Sequence, residues 1–322
     1  MVRIWIGEEN LCRLINEGLG KPKLFCIVFR EGENMTEYKD QYFEGERPLF
    51  AEKDATIVRT TFGEGESPLK ESRHIEMQDS IFKWKYPLWY SKQVKVDHTI
   101  FETMSRSGIW YTDDISITNS TLQAPKLFRR SHRIALKNDH FSDAEETLWN
   151  CSDIRIENVQ AKGDYFGMNS DNIYVDHLDL IGNYAFDGAK NIEVHNSTLV
   201  SKDAFWNCEN VTVYDSVING EYLAWNTKNI TLINCTIESD QGLCYIDHLV
   251  MKNCRLLETD LAFEYCRDID ADIHSHISSV KNPISGTIHA ESIGEMILDP
   301  TKIDPDQTTI VTNKGISKKR SA

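Results

Sequence analysis

The sequence predicts an all-β chain: a single-stranded, right-handed parallel β-helix, or solenoid, of about 12 coils with ~19–20 residues per coil and an asparagine ladder. Three observations predict it. First, one template recurs along the chain: apolar, any, apolar, any, Asn, small, any, apolar. It reads Ile115-Ser-Ile-Thr-Asn-Ser-Thr-Leu122, Ile192-Glu-Val-His-Asn-Ser-Thr-Leu199 and Ile230-Thr-Leu-Ile-Asn-Cys-Thr-Ile237. Second, apolar residues within each unit alternate with period two and are mostly β-branched or aromatic, which marks short strands. Third, the fifth template position holds residue types that tolerate a left-handed backbone, as a tight bend between two strands requires.

The elements follow in order. The template starts at Ala55, Ile75, Val94, Ile115, Ile134, Ile154, Ile173, Ile192, Val211, Ile230, Leu249 and Ile269, so 194 residues separate Ile75 from Ile269 in ten steps. Upstream flanks repeat as well, with Gly45-Glu-Arg-Pro-Leu49 and Gly65-Glu-Ser-Pro-Leu69 lying 20 residues apart. A leucine-rich repeat of this length needs a Leu-rich consensus and usually a helical segment, and neither is present. The fifth position reads Asp79, His98, Asn119, Asn138, Asn158, His177, Asn196, Asp215, Asn234 and Asn253. Stacked on successive coils, such side chains bond up and down as a ladder. The small residues that follow (Ser80, Thr99, Ser120, Ser197, Ser216, Cys235, Cys254) and the apolar ones two further on (Phe82, Phe101, Leu122, Phe141, Leu180, Leu199, Ile218, Ile237, Leu256) are expected to point inward.

The expected organisation is an N-terminal extension over 1–40, the β-helix over 41–299, and a polar, frayed tail over 300–322. For the extension two readings stand. Glu9 to Leu19 forms an amphipathic cap on the open end of the solenoid, or translation starts at Met35, behind a purine-rich stretch encoding Arg30-Glu-Gly-Glu-Asn34.

Composition excludes several functions. With 35 Lys+Arg against 50 Asp+Glu the formal charge is −15, the wrong sign for binding nucleic acid or an anionic membrane surface. No run of about 18 apolar residues marks a membrane span, and the first residues lack a secretory signal, so the expected location is cytoplasmic. Eight cysteines in a chain of this length, without an export signal, read as reduced thiols. No Cys-x-x-Cys pair occurs and the 10 histidines are scattered, so no metal and no cofactor is expected.

Several short motifs punctuate the repeat: Gly45-Glu-Arg-Pro-Leu-Phe50, Lys85-Tyr-Pro-Leu-Trp89, Ala124-Pro-Lys-Leu-Phe-Arg129, Asp143-Ala-Glu-Glu146, Lys202-Asp-Ala-Phe-Trp206, Glu221-Tyr-Leu-Ala-Trp225 and Asp260-Leu-Ala-Phe-Glu264. By these motifs the chain resembles, from about Phe43 to Asp299, a bacterial domain-of-unknown-function family of right-handed parallel β-helix proteins within the pectin-lyase-like superfamily. The family imports no established activity. The superfamily resemblance implies that substrates lie along the strand preceding each template strand.

Five residues before each template start, that strand carries Trp89, Trp110, Arg129, Trp149, Met168, Asp187, Trp206, Trp225, Cys244 and Glu264, which include five of the seven tryptophans. Facing solvent, the column would be a platform for sugar rings. Facing inward it would be core, because the adjacent column (Leu88, Ile109, Phe128, Leu148, Phe186, Phe205, Leu243, Phe263) is apolar too and only one of the two can be inside. Nine residues before each start lies an acidic column of Glu145, Asp164, Glu221, Asp240 and Asp260, interrupted by Asn183 and Lys202 and flanked by Glu146 and Asp203. Carboxylates on adjacent coils stand about 5 Å apart and on alternate coils about 10 Å apart, distances that bracket retaining and inverting glycoside hydrolysis. The plainer reading is a row of acidic turns that keeps a solenoid soluble.

One coil is basic, with Lys126, Arg129, Arg130, His132 and Arg133 next to Glu145 and Glu146. It suits an anionic sugar or, equally, a surface ion-pair cluster. The Gly-His-Gly element of polygalacturonase-like hydrolases and the calcium-binding aspartates of pectate-lyase-like enzymes are both missing. Two functions remain open. One is a carbohydrate-binding or carbohydrate-processing β-helix, with Glu145, Glu146, Asp164 and Arg129 as catalytic candidates and Trp110, Trp149, Trp206, Trp225 and Arg130 holding an oligosaccharide. The other is a non-catalytic solenoid that binds a protein or a second copy of itself as a homo-oligomer.

Overall fold

Why the repeat folds as it does is visible in a computed structural model of the chain, which describes residues 35–321. The described residues divide into two compact units, one up to Tyr174 and one from Val175. In the first, the template strands Thr36–Lys39, Lys53–Val58, Arg73–Gln78, Lys92–Asp97, Asp113–Thr118, His132–Lys137 and Ser152–Lys162 pair in parallel, each with the next. The sequence template is the pairing register: Ala55 lies against Ile75, Ile75 against Val94, Val94 against Ile115, Ile115 against Ile134, and Ile134 against Ile154. A second stack runs Tyr42–Phe43, Thr61–Phe62, Ile81–Phe82, Ile100–Phe101, Thr121–Leu122 and His140–Phe141. In the second unit Lys190–His195, Glu209–Tyr214, Lys228–Ile233, Asp247–Leu257, Arg267–Lys281, Gly286–Leu298 and Thr308–Thr312 do the same. The protein is a parallel β-solenoid.

Both inward columns are inside. Ser80, Thr99, Ser120, Ser197, Ser216, Cys235 and Cys254 are buried just past the corner, and Phe82, Phe101, Leu122, Phe141, Leu180, Leu199, Ile218, Ile237 and Leu256 fill the core. Phe43, Phe62, Phe82 and Phe101 stack ring on ring at 5.5, 4.9 and 4.9 Å, because identical positions on successive coils fall one coil spacing apart. The six described cysteines are buried free thiols.

The asparagine corner is left-handed throughout, with φ of 53° at Asn119, 56° at Asn138 and 53° at Asn158. Its amides bond coil to coil: Asn138 Nδ2 donates to Asn119 Oδ1 at 3.1 Å, and Asn158 Nδ2 to Asn138 Oδ1 at 2.8 Å. In the second unit Asn253 donates to Asn234 and Asn234 to Asp215, both at 2.9 Å. The coil has more such corners than this one. Between the asparagine corners of one coil and the next, Asp203, Phe205, Asn207 and Asn210 are left-handed before Asp215, as are Glu146, Leu148, Asn150 and Asp153 before Asn158. A side chain in this conformation costs about 1–2 kcal/mol. The cost is offset by intercoil bonding of each corner amide: Asp203 N–H donates to Glu221 O at 2.8 Å, Phe205 N–H to Ala185 O at 2.9 Å and Asn207 N–H to Trp225 O at 2.9 Å.

Three expectations are corrected. Among the described residues three further coil starts join the expected twelve, because Thr36, Gly286 and Thr308 also open stacked strands. Thr36–Lys39 therefore belongs to the solenoid and not to an N-terminal extension; the proposed Glu9–Leu19 cap lies outside the described residues. The stretch from Pro300 is not frayed: Thr308–Thr312 pairs with Gly286–Ala290, and Ile316–Ser321 with the Ile293–Leu298 end of the same strand. Polarity misled here because a strand that covers only one neighbour needs few apolar residues. Among the described residues no helix is long and apolar enough to cross a membrane.

Candidate functional site

Alternation decides which way the tryptophans face. Leu88, Ile109, Phe128 and Leu148 are at most 1% exposed, so their successors Trp89, Trp110, Arg129 and Trp149 point outward and are half-buried. They form one continuous stack in the first unit. Trp89 and Trp110 are parallel, 5.4 Å apart and 9° from coplanar. The Arg129 guanidinium lies 4.7 Å from the Trp110 ring and 4.5 Å from the Trp149 ring, a cation held between two indoles. Trp89 Nε1 donates to Ser107 O and Trp110 Nε1 to Lys126 O, which fixes the ring planes. Ring faces are thus covered by one another, and the edges meet solvent.

The next residue in each coil turns the corner and extends this edge. Tyr90 and Tyr111 stack at 4.8 Å and 5°, and Arg130 lies 6.0 Å over the Tyr111 ring. Tyr90 is 46% exposed. In the second unit Trp206 stacks on Tyr184 at 6.0 Å, and Trp225 on Tyr245 at 5.0 Å. The column then turns inward at Cys244 and Glu264, and Glu264 is 6% exposed. Its carboxylate is balanced by Lys281 Nζ at 2.9 Å and accepts from Gln241 Nε2 at 3.3 Å.

The basic coil is largely neutralised by its neighbours. Glu146 bridges Lys126 Nζ at 3.1 Å and Arg129 Nη2 at 3.0 Å. Arg133 is paired with Asp114, and His132 Nδ1 lies 2.9 Å from Asp113 Oδ1. Arg130 makes no ion pair among the described residues and points to solvent. Glu145 is exposed at the corner, where its backbone N–H donates to Asp143 Oδ1 at 3.1 Å; Asp164 lies on the next coil, its carbonyl accepting from Glu146 N–H at 2.9 Å. Arg129, Glu146 and Trp149 are therefore in contact, and Glu145 and Asp164 flank them.

A close carboxylate pair sits elsewhere. In the second unit Asp240 is raised above the usual carboxylate range, first by its hydrogen bond with Asp260 on the next coil and then by burial. Burial also raises Asp203 and Asp187, and the nearby charges of Asp187 and Glu221 add to the effect on Asp203. The signal was present in the sequence as the uninterrupted run Glu221, Asp240, Asp260 in the acidic column. Among the described residues no group of three or more His, Cys, Asp or Glu is placed to hold a metal ion.

Fold and surface together define a ladder-bonded β-solenoid with an outward aromatic–arginine edge. The chain belongs to the family described as "Protein of unknown function (DUF3737)", whose model matches residues 36–311. No curated protein matches. Several solved structures match at low similarity. QnrB1, a plasmid-mediated fluoroquinolone resistance protein, is 13% identical over 70% of this chain and 92% of its own, with a TM-score of 0.24. PfbA, a surface adhesin of Streptococcus pneumoniae, is 10% identical over 85% and 86%, with a TM-score of 0.32. The A-module of the Azotobacter vinelandii mannuronan C-5 epimerase AlgE4 is 9% identical over 90% and 91%, with a TM-score of 0.25.

Proposed function

We propose that the protein is a non-catalytic solenoid that docks a protein partner along the edge formed by Trp89, Tyr90, Trp110, Tyr111, Arg129 and Arg130. The observation that carries this reading is the stack itself. Aromatic rings locked face to face cannot offer those faces to a sugar, but they present a rigid row of Trp, Tyr and Arg edges, the residue types that dominate protein interfaces. Ordering these side chains before contact lowers the entropy lost on docking. Arg130, without an ion pair of its own, suits a carboxylate on the partner. The catalytic candidate Glu146 is already held by two cations, Lys126 and Arg129, which leaves it poorly placed to act as an acid or base.

The test is a photo-crosslinking residue placed at Tyr90 in cells. The expected result is a discrete crosslinked partner that is lost on Arg130→Glu with Tyr111→Ala and kept on Glu145→Ala with Glu146→Ala. Absence of a crosslink, or one indifferent to Arg130, would count against the docking edge. Turnover of any neutral or acidic polysaccharide by the wild type, abolished by the Glu145/Glu146 double change, would restore the catalytic reading.

A further inference from the structure

The solenoid surface of the first unit is mostly tied to itself by asparagine ladders, ion pairs and ring stacks. One place departs from this. Beside the Ile100–Phe101 strand lies a concavity of about 360 Å³ whose apolar wall is Trp84 and Met104, with Glu64, Lys83, Glu102 and Gln123 around it. The side chains of these four polar residues make no hydrogen bond or ion pair among the described residues. Trp84 stacks on no other ring there, unlike the tryptophans of the edge; Lys85 Nζ stands 5.9 Å from its centroid and 3.7 Å from Glu66.

The wall is built by an irregularity of the repeat. The coil opening at Val94 is 21 residues long, and its extra length forms the 3₁₀ turn Thr103–Ser105. That turn is anchored: Ser105 is fully buried, with its Oγ donating to Glu102 O at 2.6 Å and its N–H to the same carbonyl at 2.8 Å. Gly108 leaves it room, since a Cβ there would lie 2.7 Å from Ser105 O. Insertions in a repeat protein collect on one face, often the binding face.

From these observations we infer that the Trp84 concavity is a saccharide subsite for one or two pyranose rings. An indole face with no ring partner attracts the weakly positive C–H groups of a sugar ring, since the π-cloud is negative above the plane. Glu64, Glu102 and Gln123 accept from hydroxyls, and Lys83 and the Gln123 amide donate to them. The volume falls at the lower end of small-molecule sites. This inference is independent of the docking edge, with which it shares no residue.

The experiment is ligand-observed NMR and calorimetry on the full chain with neutral hexoses, N-acetylhexosamines, hexuronates and their disaccharides. Binding of at least one sugar tighter than about 10 mM is expected, weakened at least roughly tenfold by Trp84→Ala and by Glu102→Gln, and unchanged by Tyr90→Ala. Glu102→Gln is nearly isosteric and keeps the fold in hand should Trp84→Ala destabilise its coil. Three results would overturn the proposal: no sugar binding, sugar binding indifferent to both changes, or binding of choline or lysine methyl ester in place of sugars, which would make the concavity a cation site. Loss of sugar binding by Trp84→Ala with the Tyr90 crosslink intact would separate this site from the edge.

Discussion

Asp139 occupies the position just past the asparagine corner, where other coils of the first unit place Thr60, Ser80, Thr99 and Ser120. It is 2% exposed and accepts from Ser120 N–H at 2.8 Å and from Lys137 N–H at 3.0 Å. Those bonds favour the carboxylate, but burial outweighs them and raises the group to about 8. Below about pH 4 the side chain is protonated folded and unfolded alike, and its contribution to stability is complete. Between about 4 and 8 the unfolded chain releases the proton that the folded chain retains, so stability falls through that window. A four-unit separation sets a ceiling of about 6 kcal/mol, and relaxation of the site toward water brings the expected loss nearer about 2 kcal/mol. Asp139→Ser supplies the hydroxyl its neighbours use, as when Ser120 Oγ donates to Thr118 O at 2.8 Å. The variant should gain about 2 kcal/mol at pH 8 in urea denaturation and nothing at pH 4. Asp40, lowered by its hydrogen bond from Arg59, acts in the opposite sense at acid pH in both proteins, so the difference between them isolates Asp139. Equal gains at both pH values would show that Asp139 is not protonated in the fold.

At the scale of the coil, the corner is the unit of stability, and Asn138 tests it. Its amide donates to Asn119 and its carbonyl accepts from Asn158, while its φ of 56° disfavours any residue with an ordinary Cβ. Asn138→Ala loses both ladder bonds and keeps the unfavourable backbone, which should cost about 2–3 kcal/mol; Asn138→Gly removes the backbone term and should cost about half as much. Equal losses would mean that the ladder alone matters. This corner was legible in the sequence because Asn, Asp and His advertise it. Leu148 and Phe205 are left-handed too, yet nothing in a leucine or phenylalanine signals that conformation; intercoil amide bonds impose it. The column containing Asp153 and Asn172 was legible but unread: Asn172 Nδ2 donates to Asp153 Oδ1 at 3.1 Å as a second ladder. The tryptophan column was found by counting, but its direction was not, since two adjacent apolar columns satisfy alternation equally. The Trp84 concavity left only an irregular spacing as its trace.

At the scale of the whole chain, a solenoid is limited by its outer strands, whose unpaired backbone groups invite further pairing. Thr36–Lys39 was missed because the template demands an apolar first and a small sixth residue, where this unit has Thr36 and Gln41, although Tyr38, Asp40 and Phe43 fit the third, fifth and eighth positions. Thr308–Thr312 and Ile316–Ser321 were missed because few of their residues need burial. They nevertheless cover the 13-residue strand Gly286–Leu298, and Lys314 and Lys318 pair with Glu291 at 2.7 Å and Glu295 at 3.2 Å. Charged side chains of this kind discourage addition of another chain to the covering strands. Truncation after Asp299 would uncover Gly286–Leu298 along its full length, a long edge that carries Ile288, Ile293, Met296, Ile297 and Leu298. The truncated chain should therefore self-associate in sedimentation velocity at concentrations where the intact chain does not, and should unfold several degrees lower. A truncated chain that stays as dispersed and as heat-resistant as the full one would show that these two strands shield nothing.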